Sequence, residues 1–217
     1  MTTDPDRSVT ISLHDARLNF VLGALLDSGA ETVLDLGCGS GAFLKRAVAE
    51  ARFARIVGVE SSGIALAVAR RELAAELATA GGKLSLVSTS FLEEDERLKG
   101  FDAAVLVETI EHIDPRRLSR LEQTVFAAYQ PSTVIVTTPN QEYNVLLGLE
   151  DGRYRDPDHR FEWTRLKFRS WATRIARQFG YRVMFGNIGE GHPGYGSPTQ
   201  AARFARVHAQ LGRQRAD

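Results

Sequence analysis

The stretch VETIEH, positions 107–112, puts two carboxylates and an imidazole directly behind the apolar run FDAAVLV. Titratable groups crowded at the end of a buried strand cost free energy unless something pairs with them. Glu108, Glu111 and His112 together suit Mg²⁺ or Mn²⁺, and a second imidazole would tilt the choice toward Mn²⁺ or a softer ion. The plainer alternative is that Glu111 and His112 merely begin a turn. A second cluster lies at positions 156–168, DPDHRFEWTRLKF, where Asp158, His159, Arg160, Glu162 and Arg165 surround Phe161 and Trp163. A third is LDLGCGSG, in which Asp35 precedes Gly37, Gly39 and Gly41. Glycines at alternating positions let the chain turn tightly and let a ligand approach main-chain atoms.

The elements that must position these groups follow from hydrophobic periodicity. Leu13, Leu18, Val21, Leu22 and Leu25 mark a helical face closed by Gly29. Then come a short buried strand (TVLDLG), a glycine turn and a helix (GAFLKRAVAEA). RIVGVE is a second strand, followed by a long helix over 61–82 that Ser61 or Ser62 can cap. LSLVS and FDAAVLV make strands three and four, and 114–129 reads as a helix with Pro115 in its first turn. STVIVTTP is strand five, stopped by Pro139. A last helix runs from a Thr164 cap to Gly180, and YRVMFGNI with TQAARFARV form a closing antiparallel pair. Such alternation predicts an α/β, Rossmann-like domain: a mostly parallel seven-stranded sheet with an antiparallel last strand and helices on both faces. Ligands in such sheets sit beyond the carboxyl ends of the strands, which is where all three clusters fall.

Composition sets the frame. The 217 residues are enough for one sizeable core, so a single domain over 1–217 is expected, with about 1–10 and 208–217 frayed. Formal net charge is zero, which gives no global field toward nucleic acid or membrane and leaves room for a local basic patch. The single cysteine, Cys38, excludes an internal disulfide framework and fits a reducing compartment. With neither a membrane-length apolar run nor a leader-like N-terminus, the expected location is cytoplasmic, with no membrane partner.

Glu60 closes strand two, where an acid binds ribose hydroxyls in nucleotide-binding sheets. The glycine spacing is G-x-G-x-G instead of the dinucleotide G-x-G-x-x-G, and Asp35 would oppose a diphosphate. A carboxylate there suits a cationic ligand such as the amino group of a methionine moiety. VLDLGCGSG resembles motif I of the class I S-adenosylmethionine-dependent methyltransferases, and GVE resembles their strand-two acid, over roughly 30–140. The resemblance implies S-adenosylmethionine held by Asp35, Gly37, Gly39, Glu60 and Ser61, with Ser90 and Phe91 near the adenine.

VETIEH, TTPNQEYN and DHRFEWTR, with the later GSPTQAARF, occur in the order and spacing of the HEN-type small-RNA 3′-terminal 2′-O-methyltransferases. That family includes a bacterial branch in RNA repair and a eukaryotic branch that modifies microRNAs or piRNAs, and the match covers about 30–205. The resemblance implies four metal ligands, Glu108, Glu111, His112 and His159. A common form of the last motif has another histidine where Pro157 stands here; His159 is taken as the ligand because it adjoins the retained RFEW. A divalent ion on both the 2′- and 3′-oxygens of a terminal nucleotide would acidify the 2′-OH and require a free 3′-OH. His112 or His159 could instead act as general base; the residues do not separate the roles. Pro139, Asn140 and Tyr143 would shape the acceptor wall.

The expected substrate is thus an RNA 3′ end with free 2′,3′-hydroxyls, and an RNA-repair kinase, phosphatase or ligase is an expected partner. Arg165, Lys167, Arg169, Arg174 and Arg177 are candidates for RNA phosphates or for a solvated helix face. Phe161 and Trp163 are candidates for stacking on a terminal base, whereas Trp171 is expected in the core. Two rivals remain: a small-molecule O-methyltransferase acting on a catechol- or quinone-type substrate, which leaves His159 and RFEW unexplained, and a catalytically dead binding module, which need not keep motif I and four ligands.

Overall fold

The computed structural model describes residues 5–207 apart from 80 and 151, with side chains from residue 13 onward. The elements are α1 (Pro5–Ser28), β1 (Thr32–Leu36), α2 (Ala42–Ala47), β2 (Arg55–Glu60), α3 (Gly63–Glu72), α4 (Ala74–Leu77), β3 (Leu84–Ser88), β4 (Ala103–Val107), α5 (Leu118–Glu122), β5 (Thr133–Pro139), α6 (Arg165–Phe179), β6 (Tyr181–Ile188) and β7 (Thr199–Arg206). Of the ends expected to fray, 1–4 and 208–217 lie outside the described residues, while Pro5 already belongs to α1.

The strands form one seven-stranded sheet in the order β3-β2-β1-β4-β5-β7-β6. All pairs from β3 to β5 are parallel, and β7 is antiparallel to both β5 and β6. β7, the last strand among the described residues, is therefore inserted between β5 and β6, with β6 at the edge. Strand order reverses between β1 and β4, which opens a crevice beyond their carboxyl ends.

Alternation along each central strand divides the interior into two cores. Leu34, Leu36, Val57, Val59, Ala104, Leu106, Val134 and Val136 face α5 and α6. Val33, Ile56, Ala103, Val105 and Ile135 face α1 and α2. Both faces are covered, so the strands read as continuously apolar.

The helix expected over 114–129 starts as a tight turn at Pro115–Arg117, capped by Asp114, and continues as α5. Gln123–Tyr129 then widens, with the Gln130 amide reaching back five residues to Val125 O at 3.0 Å. The expected helix over 61–82 is broken at Leu73, and α2 stops at Ala47. Ser62 and Thr164 cap α3 and α6, and Gly180 ends α6 in the left-handed conformation it alone adopts cheaply. Trp171 lies in the core as expected, its indole N–H donating to Glu122 at 2.9 Å. Among the described residues no helix is long and apolar enough to cross a membrane.

Phe126 is the hub of the α6-side core, 4.9 Å from Phe204 and 5.4 Å from Tyr181 between ring centroids. Phe126→Ala is expected to lower stability by about 3–5 kcal/mol. Chemical denaturation monitored by tryptophan fluorescence measures it.

Candidate active site

The turn after β1 is built around the β2 carboxylate. Gly37 and Cys38 donate their amides to Val59 O, and Glu60 accepts from the Gly39 amide through Oε2 (2.9 Å) and from the Ser62 amide through Oε1 (2.8 Å). Gly37 has φ 83, and a Cβ there would sit 2.5 Å from Thr109 Cγ2. Gly39 has φ 53 but faces open space.

That space is a cavity of about 410 Å³. Its walls contain Gly37, Gly39, Glu60, Ser61, Ser90 and Phe91, all of them expected cofactor-binding residues. The seventh, Asp35, lies beneath the turn, 1% exposed, with Oδ2 buried and unpartnered. Burial and then the neighbouring Glu60 push its carboxyl up to about 8. An unpaired buried acid under a glycine turn suits the ammonium of a methionine moiety, and Glu60 suits ribose hydroxyls, so these residues fit S-adenosylmethionine.

A second cavity of about 440 Å³ is lined by Leu13, Arg17, Glu108, Glu111, His112, Pro139, Leu147, Leu149, Arg155, Asp156 and His159. Glu108 and His112 belong to the walls of both cavities. A donor and an acceptor bound in the two would meet there.

Ligand atoms of Glu111, His112 and His159 lie within 4.8 Å of one another. Glu111 is fully buried; Thr138 Oγ1 donates to its Oε2 at 2.9 Å, while Oε1 has no partner. Burial, then Glu108, raises its pKa. Burial, then His159, lowers that of His112. His159 Nδ1 is 2.6 Å from Glu162 Oε1, which also leaves Nε2 as the coordinating atom. Burial opposes ionisation of Glu162, but hydrogen bonds from His159, Asn144 and the Arg155 amide hold its carboxyl below the usual range. Glu108, the expected fourth ligand, stands apart from the three. It has a left-handed backbone (φ 50), its Oε2 pairs with Arg17 at 3.1 Å, and its Oε1 is buried and unpartnered. Two imidazoles and two carboxylate oxygens awaiting a partner fit a divalent cation.

Other expectations are revised. Phe161 and Trp163 stack on each other at 4.4 Å and are each 5% exposed, so they are core residues closed to a nucleobase. Their aromatic area is better buried against Trp171 than left at the surface. Pro139 lines the acceptor cavity, but Asn140 is buried and donates to Tyr195 O and Ser197 O, and Tyr143 is not in the wall. On α6, Arg165 is held by Glu142 and Arg174 by Glu122, which removes both from the free basic face. Arg17 and Arg155 gave no sequence signal, and Thr138 stood in TTPNQEYN with no role assigned to it. Each reaches the site from an element remote in sequence from its partner, or across the sheet.

The fold and the two adjoining cavities define a Rossmann-like methyltransferase, and a methyltransferase-domain family profile matches residues 34–133. The small RNA 2′-O-methyltransferase of Arabidopsis thaliana is 32% identical, over 89% of this chain and 22% of its own length. That of Mus musculus is 33% identical, over 93% of this chain and 53% of its own. The chain thus spans about half or less of these relatives. The crystal structure of the methyltransferase domain of bacterial CtHen1 superposes with a TM-score of 0.82 at 39% identity, covering 90% of this chain and 100% of that one. The chain belongs to the Hen1 family of methyltransferase domains.

Two outcomes follow. Gly39→Val, which strains a positive φ and fills the cavity, is expected to abolish S-adenosylhomocysteine binding in calorimetry without unfolding the protein. The native state also keeps a proton on Asp35 up to about pH 8, whereas the unfolded chain loses it near pH 4. Ligand-free stability should therefore fall as pH rises through that window. Asp35→Asn should remove its share of the loss, leaving that of Glu111, in urea titrations at pH 5 and pH 8.

Proposed function

We propose that this chain transfers a methyl group from S-adenosylmethionine to the 2′-OH of the 3′-terminal nucleotide of RNA, with a divalent cation, Mn²⁺ or Mg²⁺, at the acceptor. The observation that carries the reading is the junction of the two cavities at Glu108 and His112, beside the Glu111–His112–His159 cluster. The relatives' names supply the substrate class.

When bound, the cation supplies Lewis acidity to the ribose hydroxyls and the sulfonium supplies the methyl group. The chain's own residues do the rest. Asp35 and Glu60 orient the donor. Glu111 and His159 would hold the cation, with His159 fixed by Glu162, and Glu108 would join them from the junction. His112 borders both cavities, and the neutral imidazole that its lowered pKa favours is the form that would either ligate the cation or receive the 2′-OH proton. Thr138 and the Glu108 ion pair keep two acids from drifting out of line.

A requirement for both terminal hydroxyls means that ends carrying a 3′-phosphate must first be dephosphorylated. A repair phosphatase, with its kinase and ligase, is the partner this reading calls for. A reducing, cytoplasmic setting goes with it, since Cys38 is free and buried.

One RNA bearing 2′,3′-dihydroxyl, 3′-deoxy or 3′-phosphate ends tests the proposal, with catechol as a control acceptor. Methylation should occur on the dihydroxyl end, vanish with chelator, and return with Mn²⁺ better than with Mg²⁺. Equal rates on the 3′-deoxy end would refute two-oxygen chelation, and full activity in chelator would remove the cation from the mechanism.

A further inference from the structure

Two arginines stand in the wall of the acceptor cavity, and they are used differently. Arg155 gives Nε to Asn144 Oδ1, Nη1 to Pro198 O and Nη2 to Asn140 O, all within 2.7 Å, which makes it scaffolding. Arg17, on α1, gives Nε to Thr199 Oγ1 at 2.8 Å and Nη2 to Glu108 Oε2 at 3.1 Å. Its Nη1 has no partner among the described residues, although the side chain is only 15% exposed. The rest of the wall carries the carboxyl groups of Glu108, Glu111 and Asp156, so the two arginines are the groups of this wall that suit a phosphate.

We propose that Arg17 binds the last phosphodiester of the acceptor RNA, an inference that rests on the function proposed above. The hydroxyls and the 5′-phosphate of a nucleotide lie at opposite ends of one ribose. Arg17 lines the same cavity as Glu111, His112 and His159, and Glu108, which it holds at 3.1 Å, borders that cavity as well. Thr199 opens β7 and pairs with Pro139 at the end of β5, so Arg17 is anchored to the sheet itself. A guanidinium fixed on two edges offers the third to a phosphate with little further entropy to lose. The contact reads charge and position without reading a base.

The test uses two RNAs with 2′,3′-dihydroxyl ends that differ only in the last linkage, phosphodiester or uncharged methylphosphonate. Binding is measured by fluorescence anisotropy with Mn²⁺ and S-adenosylhomocysteine present. Wild type should prefer the phosphodiester by about ten-fold or more. Arg17→Met should bind both RNAs equally, at the weaker level, with unchanged S-adenosylhomocysteine affinity. Arg17→Lys should keep part of the preference. Equal weakening of both RNAs in Arg17→Met would overturn the proposal and assign Arg17 to supporting Glu108. A wild type that does not distinguish the linkages would overturn it without any variant. Should wild type make the distinction yet methylate neither RNA, the phosphate contact stands and the methylation reading falls.

Discussion

A carboxylate withdrawn from water must find donors inside the protein, and Glu162 finds them on three segments. Its oxygens take the imidazole N–H of His159, the side-chain amide of Asn144 and the backbone amide of Arg155. Arg155 then ties Asn140 O to Pro198 O, and Asn140 ties in Tyr195 and Ser197. The acceptor wall is thus a set of loops gathered on one buried charge. Loops carry no ladder of their own to fix their shape, so a saturated ionic centre does for them what strand pairing does for the sheet. Without it His159 would have neither a fixed ring nor a fixed tautomer.

Three carboxyl groups nearer the cavities follow the reverse rule. Asp35 Oδ2, Glu108 Oε1 and Glu111 Oε1 are all out of water with nothing donating to them. Each costs stability; Asp35 lies beneath the glycine turn, while Glu108 and Glu111 stand in the wall of the acceptor cavity. A protein keeps such groups unpaired where something else is to pair with them. The left-handed backbone of Glu108 adds to the cost at the point where the two cavities join.

Much of this was legible in the amino-acid order. Near-continuous apolar strands pointed to the parallel sheet, and LDLGCGSG with Glu60 pointed to Gly37, Gly39 and Glu60 in one cavity wall, though not to Leu92, Thr109 or Arg117 beside them. Glu111, His112 and His159 were legible because their motifs name residue types that chemistry rarely collects by chance. The rest was hidden for physical reasons. Aromatic residues beside a site look alike whether they stack on a ligand or on each other, so Phe161 and Trp163 were read outward when they pack inward. Basic residues on α6 show charge but not partners, and Glu142 and Glu122 come from elsewhere in the fold. Arg17 meets Glu108 only because α1 crosses β4 and β5, a packing no local pattern encodes.

The insertion of β7 between β5 and β6 has a consequence for the order of assembly. Pro198 O receives Arg155 and the Asn140 amide, Thr199 receives Arg17, and Gln200 donates to Pro139 O and Trp163 O. Every one of these anchors lies at the start of β7, which follows β6 in the chain. A nascent chain that has emerged only as far as β6 already holds the glycine turn, the Glu-Glu-His corner and His159. It lacks the rail on which the acceptor side is hung, and β6 has no neighbour to pair with. The donor half can form early on the ribosome, whereas the acceptor half closes only when β7 slides between β5 and β6.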